Sequence, residues 1–231
     1  MANGKLYRER LKVFDRQQRY ALAAAVGLLK KMPHPKFDET VALSFRLGID
    51  PKQSDQAVRG ALALPHGTGK TVRVIVVAQG AAAEAAKAAG ADEVGYEELI
   101  AKVQGGWFEF DTMIATPDVM PKLRALGRVL GPRGLMPNPK TGTVTDDPAS
   151  AVRETKGGRV EYRADKGGVA HVRVGKLSFG EKQLTENCEA AINAVLRARP
   201  PTTKGNYLVS CTLAATMSPG VRLDPRQFLK V

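Results

Sequence analysis

Five consecutive residues, 67–71 (Gly-Thr-Gly-Lys-Thr), have the types and spacing that come closest to a reactive site. They match the end of a phosphate-binding loop, G-x-x-x-x-G-K-T, whose backbone amides and lysine hold a nucleotide. That loop also needs a glycine five residues before Gly69, where this chain has Leu64. It must open a helix as well, whereas an apolar strand pattern begins here at Val72. We therefore interpret the glycines as a crossover between two parts of the chain, and we keep a nucleotide-dependent enzyme only as the alternative function.

Other residues that do chemistry are too scattered to form a recognisable site. The three histidines lie far apart, and Cys188 and Cys211 do not have the spacing of zinc ligands. The cysteines fall in a helix pattern and a strand pattern, which favours buried reduced thiols. The acidic pairs at 97–98 and 146–147 are interpreted as solvated or helix-capping carboxylates. We predict no enzyme activity, no metal and no cofactor.

Charge divides the chain into three parts. The net charge is +12, and an excess of positive charge indicates a polyanionic partner. Residues 1–66 contain 12 Lys/Arg against 6 Asp/Glu, and residues 160–231 contain 11 against 6. Residues 67–159 are nearly neutral, with 12 against 11. If the two ends fold together, they form one cationic domain with a near-neutral insert.

Amphipathic strand and helix patterns occupy both ends of the chain. Period-two alternation is typical of half-buried strands, and a stripe of apolar residues at helical spacing is typical of a surface helix. The patterns predict helices over 21–31 and 181–197, and strands over 40–47, 57–64, 159–163, 171–174 and 207–216. In the last strand the alternation places Val209 inward and Leu208 outward. An α+β domain is indicated, with an antiparallel sheet covered by helices on one side and wet on the other.

Polar positions of these strands define the predicted wet face. They are Ser44, Arg46, Arg163, His171, Arg173, Ser210, Thr212 and Thr216. Hydroxyls and cations on an open face suit phosphates and ribose 2′-hydroxyls. The alternative is an ordinary solvated sheet face, which the alternation alone does not exclude.

The middle of the chain alternates strands with helices. A nearly continuous apolar run at 72–78 is typical of a strand covered on both faces. Further patterns predict strands at 93–94 and 111–115 and helices at 81–89, 96–104 and 117–126. This order implies a parallel, Rossmann-like, three-layer α/β domain with right-handed crossovers. We predict a discontinuous α+β domain, residues 1–66 plus 160–231, into which an α/β domain of residues 67–159 is inserted.

Several motifs together resemble one protein family. They are the stretches at 36–41 (KFDETV), 47–56 (LGIDPKQSDQ), 58–60 (VRG), 64–67 (LPHG), 115–120 (ATPDVM) and, most specific of all, 130–140 (LGPRGLMPNPK). The chain resembles bacterial large ribosomal subunit protein one, the L-one stalk protein family, from about residue 7 to residue 225. The resemblance implies the same two-domain fold and binding to 23S ribosomal RNA at the mobile lateral stalk of the large ribosomal subunit. It also implies help in releasing deacylated transfer RNA from the exit site, and repression of the chain's own operon messenger RNA.

Through the same resemblance the RNA contacts map mainly onto the discontinuous domain. The mapped residues are Lys36, Phe37, Glu39, Thr40, Asp165, Lys166, His171, Ser210, Thr216, Met217 and Ser218. A lysine can meet phosphate, and hydroxyls can bond ribose. Phe37 and Met217 can pack against ribose or base, their alternative being core packing. Arg133 and Lys140 are candidates for secondary RNA contacts, the alternative being that the segment 130–140 is only a rigid loop.

One motif departs from the family pattern near the C-terminus. The family usually reads Thr-Met-Gly-Pro-Ser, whereas this chain reads Thr-Met-Ser-Pro-Gly over 216–220. Three outcomes stay open: RNA lies farther away, Ser218 adds a hydroxyl contact, or Gly220 takes over the permissive role. Ala57 and Ala61 also replace residues that are commonly polar in the family.

The sequence also favours a cytoplasmic location. No apolar run approaches the roughly 20 residues that cross a bilayer, and the first residues have no secretory signal pattern. We expect no membrane partner. A regulatory RNA-binding protein that is not part of the ribosome is the remaining alternative.

Overall fold

The computed structural model describes residues 4–228. Its strands are β1 Thr40–Leu47, β2 Arg59–Ala63, β3 Val74–Val77, β4 Glu93–Gly95, β5 Thr112–Ala115, β6 Arg159–Arg163, β7 Val169–Lys176, β8 Leu208–Ala215 and β9 Val221–Leu223. Its α-helices are α1 Lys5–Leu11, α2 Leu22–Lys31, α3 Ala81–Ala88, α4 Glu97–Gln104, α5 Met120–Leu123, α6 Gly127–Arg133, α7 Pro148–Lys156 and α8 Glu181–Arg197. The fold is mixed α/β, with one parallel and one larger antiparallel sheet.

Backbone contacts divide the chain into two compact units. Unit 1 combines the described residues up to Gly69 with those from Val160 onward, and unit 2 is Lys70–Arg159. Residues 67–69 are uncharged, so unit 1 contains the whole basic excess of the two chain ends and unit 2 stays nearly neutral.

Unit 1 is built on a four-stranded antiparallel sheet in the order β7-β1-β8-β9, with β2 and β6 forming a separate two-stranded sheet. Helices α2 and α8 pack on one face of the larger sheet, where alternate strand residues such as Leu43 and Phe45 are fully buried. The predicted apolar stripe of α8 is confirmed, because Leu184, Cys188 and Ile192 lie in this core. The opposite face of the sheet carries the predicted polar residues of β1, β7 and β8.

One strand departs from the predicted alternation. The pairing of β1 with β8 shifts register between Arg46 and Leu47, so that Leu47 lies opposite Leu208. Both leucines are buried, and Val209 is 46% exposed. The prediction that Val209 faces inward and Leu208 outward is therefore wrong, because a bulge adds a residue and reverses the faces beyond it.

Unit 2 contains a parallel sheet in the order β4-β3-β5. The central strand β3 is buried on both faces, as its apolar run predicts. Val74 and Val76 pack in one cluster with Val152 of α7, whereas Ile75 and Val77 pack in another. Helices therefore cover both sides of the sheet.

The helical part of unit 2 differs in two places from the prediction. The segment that begins at Pro117 forms short 3₁₀ and α turns and stays helical to Arg133, so the predicted loop at 130–140 starts too early. Helix α7 was not predicted. Asp147 precedes it and accepts hydrogen bonds from the amides of residues 149 and 150, which confirms that carboxylate as a helix cap.

Both cysteines are free and buried in unit 1, as predicted. Burial raises the pKa of Cys188 and raises that of Cys211 to about 12, so both stay protonated. Within residues 4–228, no helix combines the length and apolarity required to cross a membrane.

Candidate nucleic-acid interface

Two chain segments meet at one edge of the larger sheet, and we call them together the tip: residues 36–40 and residues 216–218. They meet because β1 begins at Thr40 and its antiparallel partner β8 ends at Ala215. The hydroxyl of Thr216 links them. It accepts a hydrogen bond from the Thr40 amide at 3.1 Å and donates one to the Thr40 carbonyl at 3.3 Å. Thr40 and Thr216 therefore fix the shape of the tip as well as lying on its surface.

The tip exposes two large apolar side chains. Phe37 is 49% exposed and Met217 is 53% exposed, and Lys36 beside them is exposed too. The alternative that Phe37 and Met217 pack in the core is therefore wrong. A flat ring and a flexible thioether held at the surface can pack against a base or a ribose.

Glu39 has a different environment from the rest of the tip. Its side chain is fully buried, and its Oε1 accepts the Met217 amide at 2.9 Å. The same carboxylate lies 3.6 Å from Arg10 Nη1 and 3.1 Å from His34 Nδ1. Burial removes Glu39 from direct RNA contact, so the interpretation of this residue as a contact is corrected: it positions the tip from beneath.

Ser218 uses its hydroxyl within the chain. The Oγ accepts the Ala215 amide at 2.7 Å and donates to the Ala215 carbonyl at 3.3 Å, closing the turn after β8. Gly220 does not need its conformational freedom, since its φ is not positive. It provides space instead: a Cβ at Gly220 would meet Thr212 Cγ2 at 2.6 Å. Of the three outcomes left open by the sequence, the transfer of a permissive backbone to Gly220 is therefore excluded.

The outer face of the sheet extends from the tip along β1. Cross-strand pairing places His171 and Thr212 on either side of Ser44, and Ser210 beside Arg46. The Ser44 hydroxyl is 2.9 Å from His171 Nδ1. These side chains are exposed or half-buried, as the alternation predicts.

The predicted polar set needs two corrections. Arg163 is exposed, but it belongs to β6, which pairs with β2 in the other sheet, so it is not part of this face. Arg222 was missed: it is exposed on β9, opposite Thr212. The alternation of Arg222 with buried Val221 and Leu223 was the available signal, in a strand of only three residues.

Asp165 and Lys166 lie in the turn between β6 and β7, at the other end of the face from the tip. The turn abuts the end of β1, where the Leu47 amide donates to the Gly168 carbonyl at 2.9 Å. Hydrogen bonds from the Val169 and Gly167 amides lower the pKa of Asp165, whose carboxylate holds the turn and leaves Lys166 exposed. Six residues of β1 separate the two ends, about 20 Å. The predicted contacts therefore form a strip along β1 and not a single cluster.

In unit 2, Arg133 is exposed at the end of α6, and its guanidinium lies 3.9 Å from the centre of the Phe108 ring. The side chain of Lys140 lies outside the part of the chain that the structure describes. Lys70, from the glycine-rich stretch, bonds Asp111 at 2.6 Å, and strand β3 follows it without a helix. No group of metal-binding side chains occurs within the described residues.

The sequence matches known proteins over most of its length. Residues 29–219 match the Ribosomal protein L1p/L10e family. The large ribosomal subunit protein uL1 of Lactobacillus delbrueckii subsp. bulgaricus is 55% identical over 223 residues, which cover 96% of each chain. The protein of the same name from Nocardioides sp. is 54% identical over 227 residues, 98% of this chain and 95% of the relative.

Proposed function

The chain belongs to the Ribosomal protein L1p/L10e family, whose members are structural ribosomal proteins and not enzymes, and we propose that it binds 23S ribosomal RNA at the mobile lateral stalk of the large subunit. Its place is then on the cytoplasmic ribosome. Unit 1 is the discontinuous α+β domain that binds RNA, and unit 2 is the inserted, Rossmann-like α/β domain.

The exposed tip is the observation that carries this proposal. Phe37 and Met217 are held at the surface although each would bury apolar area in a core. Lys36 is beside them, and a strip of hydroxyls and cations follows along β1 in a unit with a strong positive charge. Aromatic and thioether groups pack on bases, cations meet phosphates, and hydroxyls meet 2′-hydroxyls. A structured RNA presents bases, phosphates and 2′-hydroxyls together, so it can contact all three kinds of side chain.

Each contact residue has a role that suits its place. Lys36, Lys166 and His171 face phosphates, and Thr40, Ser210 and Thr216 offer hydroxyls to ribose. Ser218 presents the turn backbone. Arg133 is a candidate for a secondary contact, with its guanidinium plane already stacked on Phe108.

Binding of a labelled stalk fragment of 23S ribosomal RNA tests the proposal. Phe37→Ala and Met217→Ala should each weaken binding about tenfold, the size expected when a base loses its packing partner. Val129→Ala, an exposed apolar residue of unit 2, is the matched control and should bind like the unaltered protein. Affinity that does not depend on salt, or equal affinity of all three variants, would refute the proposed surface.

We infer two further roles from the resemblance to the family. A messenger RNA of the chain's own operon that copies the stalk site would occupy the same tip and repress translation. Stalk RNA should then displace the messenger RNA from the protein, and Phe37→Ala should weaken the binding of both RNAs equally. On the ribosome, the protein would help deacylated transfer RNA leave the exit site, and large subunits lacking it should release that RNA more slowly.

A further inference from the structure

Arg10, in helix α1, is a charged side chain that is almost completely buried, with 1% of it exposed. Its Nε donates a hydrogen bond to the Pro33 carbonyl at 2.6 Å, and its Nη1 donates one to the Met217 carbonyl. The same nitrogen is 3.6 Å from Glu39 Oε1. One guanidinium therefore joins the chain leading into β1 to the chain leaving β8.

These contacts hold the backbone of Met217 from both sides. Its amide donates to Glu39 at 2.9 Å, and its carbonyl accepts from Arg10. Because the backbone is fixed at both polar groups, the side chain is directed outward and is 53% exposed. Arg10 thus acts on the presented thioether through the main chain, without reaching the surface itself.

Fold stability alone is a poor reason for this arrangement. Taking a guanidinium and a carboxylate out of water is costly, and apolar residues of similar size often serve stability equally well. Arg10 Nη2 is also buried without a hydrogen-bond partner among the described residues. A buried donor left in this way is unfavourable, and such features occur where function maintains them.

We propose that Arg10 is a positioning residue for RNA recognition, which fixes Met217 in the conformation that RNA binds and makes helix α1 a working part of the interface. This rests on the proposed function of the tip as the binding site for stalk RNA. Arg10 itself touches no phosphate.

Arg10→Met and Arg10→Lys test the proposal, with Arg8→Met as the matched control. Arg8 is on the same helix, exposed, and its loss removes the same charge. Arg10→Met should bind stalk RNA about tenfold more weakly, the size expected when a hydrogen bond to a charged group is lost. Arg10→Lys keeps the charge but has a single nitrogen, so it should also lose affinity. Arg8→Met should stay within about threefold of the unaltered protein.

Two readouts separate positioning from other roles. The slope of log affinity against log salt should not change in Arg10→Met, whereas a lost phosphate contact would reduce it by about 0.7–0.9. In a cycle with Met217→Ala, the double variant should lose little more than Met217→Ala alone, because both changes remove the same contact. A reduced slope, or losses that multiply independently, would overturn the proposal.

The failures are distinguishable. If the unaltered protein shows no salt-dependent binding to stalk RNA, the proposed function fails and this inference fails with it. If the unaltered protein binds and both Arg10 variants bind equally well, only the inference fails. If circular dichroism shows that neither Arg10 variant folds, Arg10 has a structural role alone, and the inference is overturned.

Discussion

Replacement of Asn187 by alanine should destabilise unit 1 strongly. Asn187 lies on α8 with no exposed surface. Its Nδ2 donates to the carbonyls of Val174 at 2.8 Å and Gly67 at 3.1 Å, and its Oδ1 accepts the His66 amide at 3.1 Å. One side chain thus satisfies three backbone groups, two of them where the chain approaches its crossover into unit 2.

The magnitude follows from these three bonds. A net contribution of about 1 kcal/mol for each gives a loss of about 3 kcal/mol in the free energy of unfolding. With an m-value of about 2 kcal/mol/M in urea, the midpoint should fall by about 1.5 M. Asn187→Asp should cost at least as much, because it turns an oxygen towards two carbonyl oxygens in place of the amide donor.

Urea unfolding followed by circular dichroism and by tryptophan fluorescence measures the effect. The one tryptophan, Trp107, lies in unit 2, so a shift seen in ellipticity alone locates the loss in unit 1. Asn193→Ala, an exposed asparagine on the same helix, is the control and should change stability by less than about 0.5 kcal/mol. A loss in Asn187→Ala no larger than in this control would refute the reasoning.

Three further predictions concern other parts of the molecule. Gly220→Ala should cost about 1–3 kcal/mol of stability through its clash with Thr212 Cγ2, and urea midpoints should show partial recovery in a double variant with Thr212→Ser, which lacks that methyl group. The hydrogen bond from Lys70, and next that from the Arg73 amide, lower the pKa of Asp111 below its ordinary 3.8. The ionised Asp111 therefore contributes to the free energy of unfolding above pH 3.8, and this contribution is lost as the pH falls through the lowered pKa. Acid unfolding followed by Trp107 fluorescence should depend less on pH in this range for Asp111→Asn. Lys36→Ala should reduce the salt slope of RNA binding by about 0.7–0.9, whereas Ser210→Ala should lower affinity without changing the slope.

Elements with a strong local pattern could be predicted from the sequence. The apolar stripe of α8 and the alternation in β1 predicted the first and last residues of both elements correctly. They could do so because amphipathic periodicity depends on which side of an element faces the core. The apolar run of β3 indicated burial on both faces for the same reason. The order of the strands in each sheet does not follow from periodicity.

Elements with weak local signals were missed. Helix α1 is short and highly charged, and β9 has three residues. Helix α7 is mostly polar, although Asp147 followed by Pro148 is a recognisable helix start. The reversal at Val209 depends on a bulge that only strand pairing reveals.

Within the site, exposed hydroxyls and cations could be predicted from alternation, but the burial of Glu39 could not. Its partner Arg10 lies in helix α1, whereas Glu39 directly precedes β1. No local pattern marks a carboxylate as buried when its counter-charge comes from a distant part of the chain. The tip could be expected from the resemblance alone, since its two segments are almost 180 residues apart.

The pairing of β1 has a consequence for the order in which a newly made chain can fold. Strands β7 and β8, which pair with β1 on either side, are translated long after it. The backbone of β1 therefore has no strand partner while residues 48–168 are synthesised. Unit 2 is contiguous and can fold as soon as it leaves the exit tunnel. The surface proposed to bind RNA is therefore completed only after the whole of unit 2 has been synthesised.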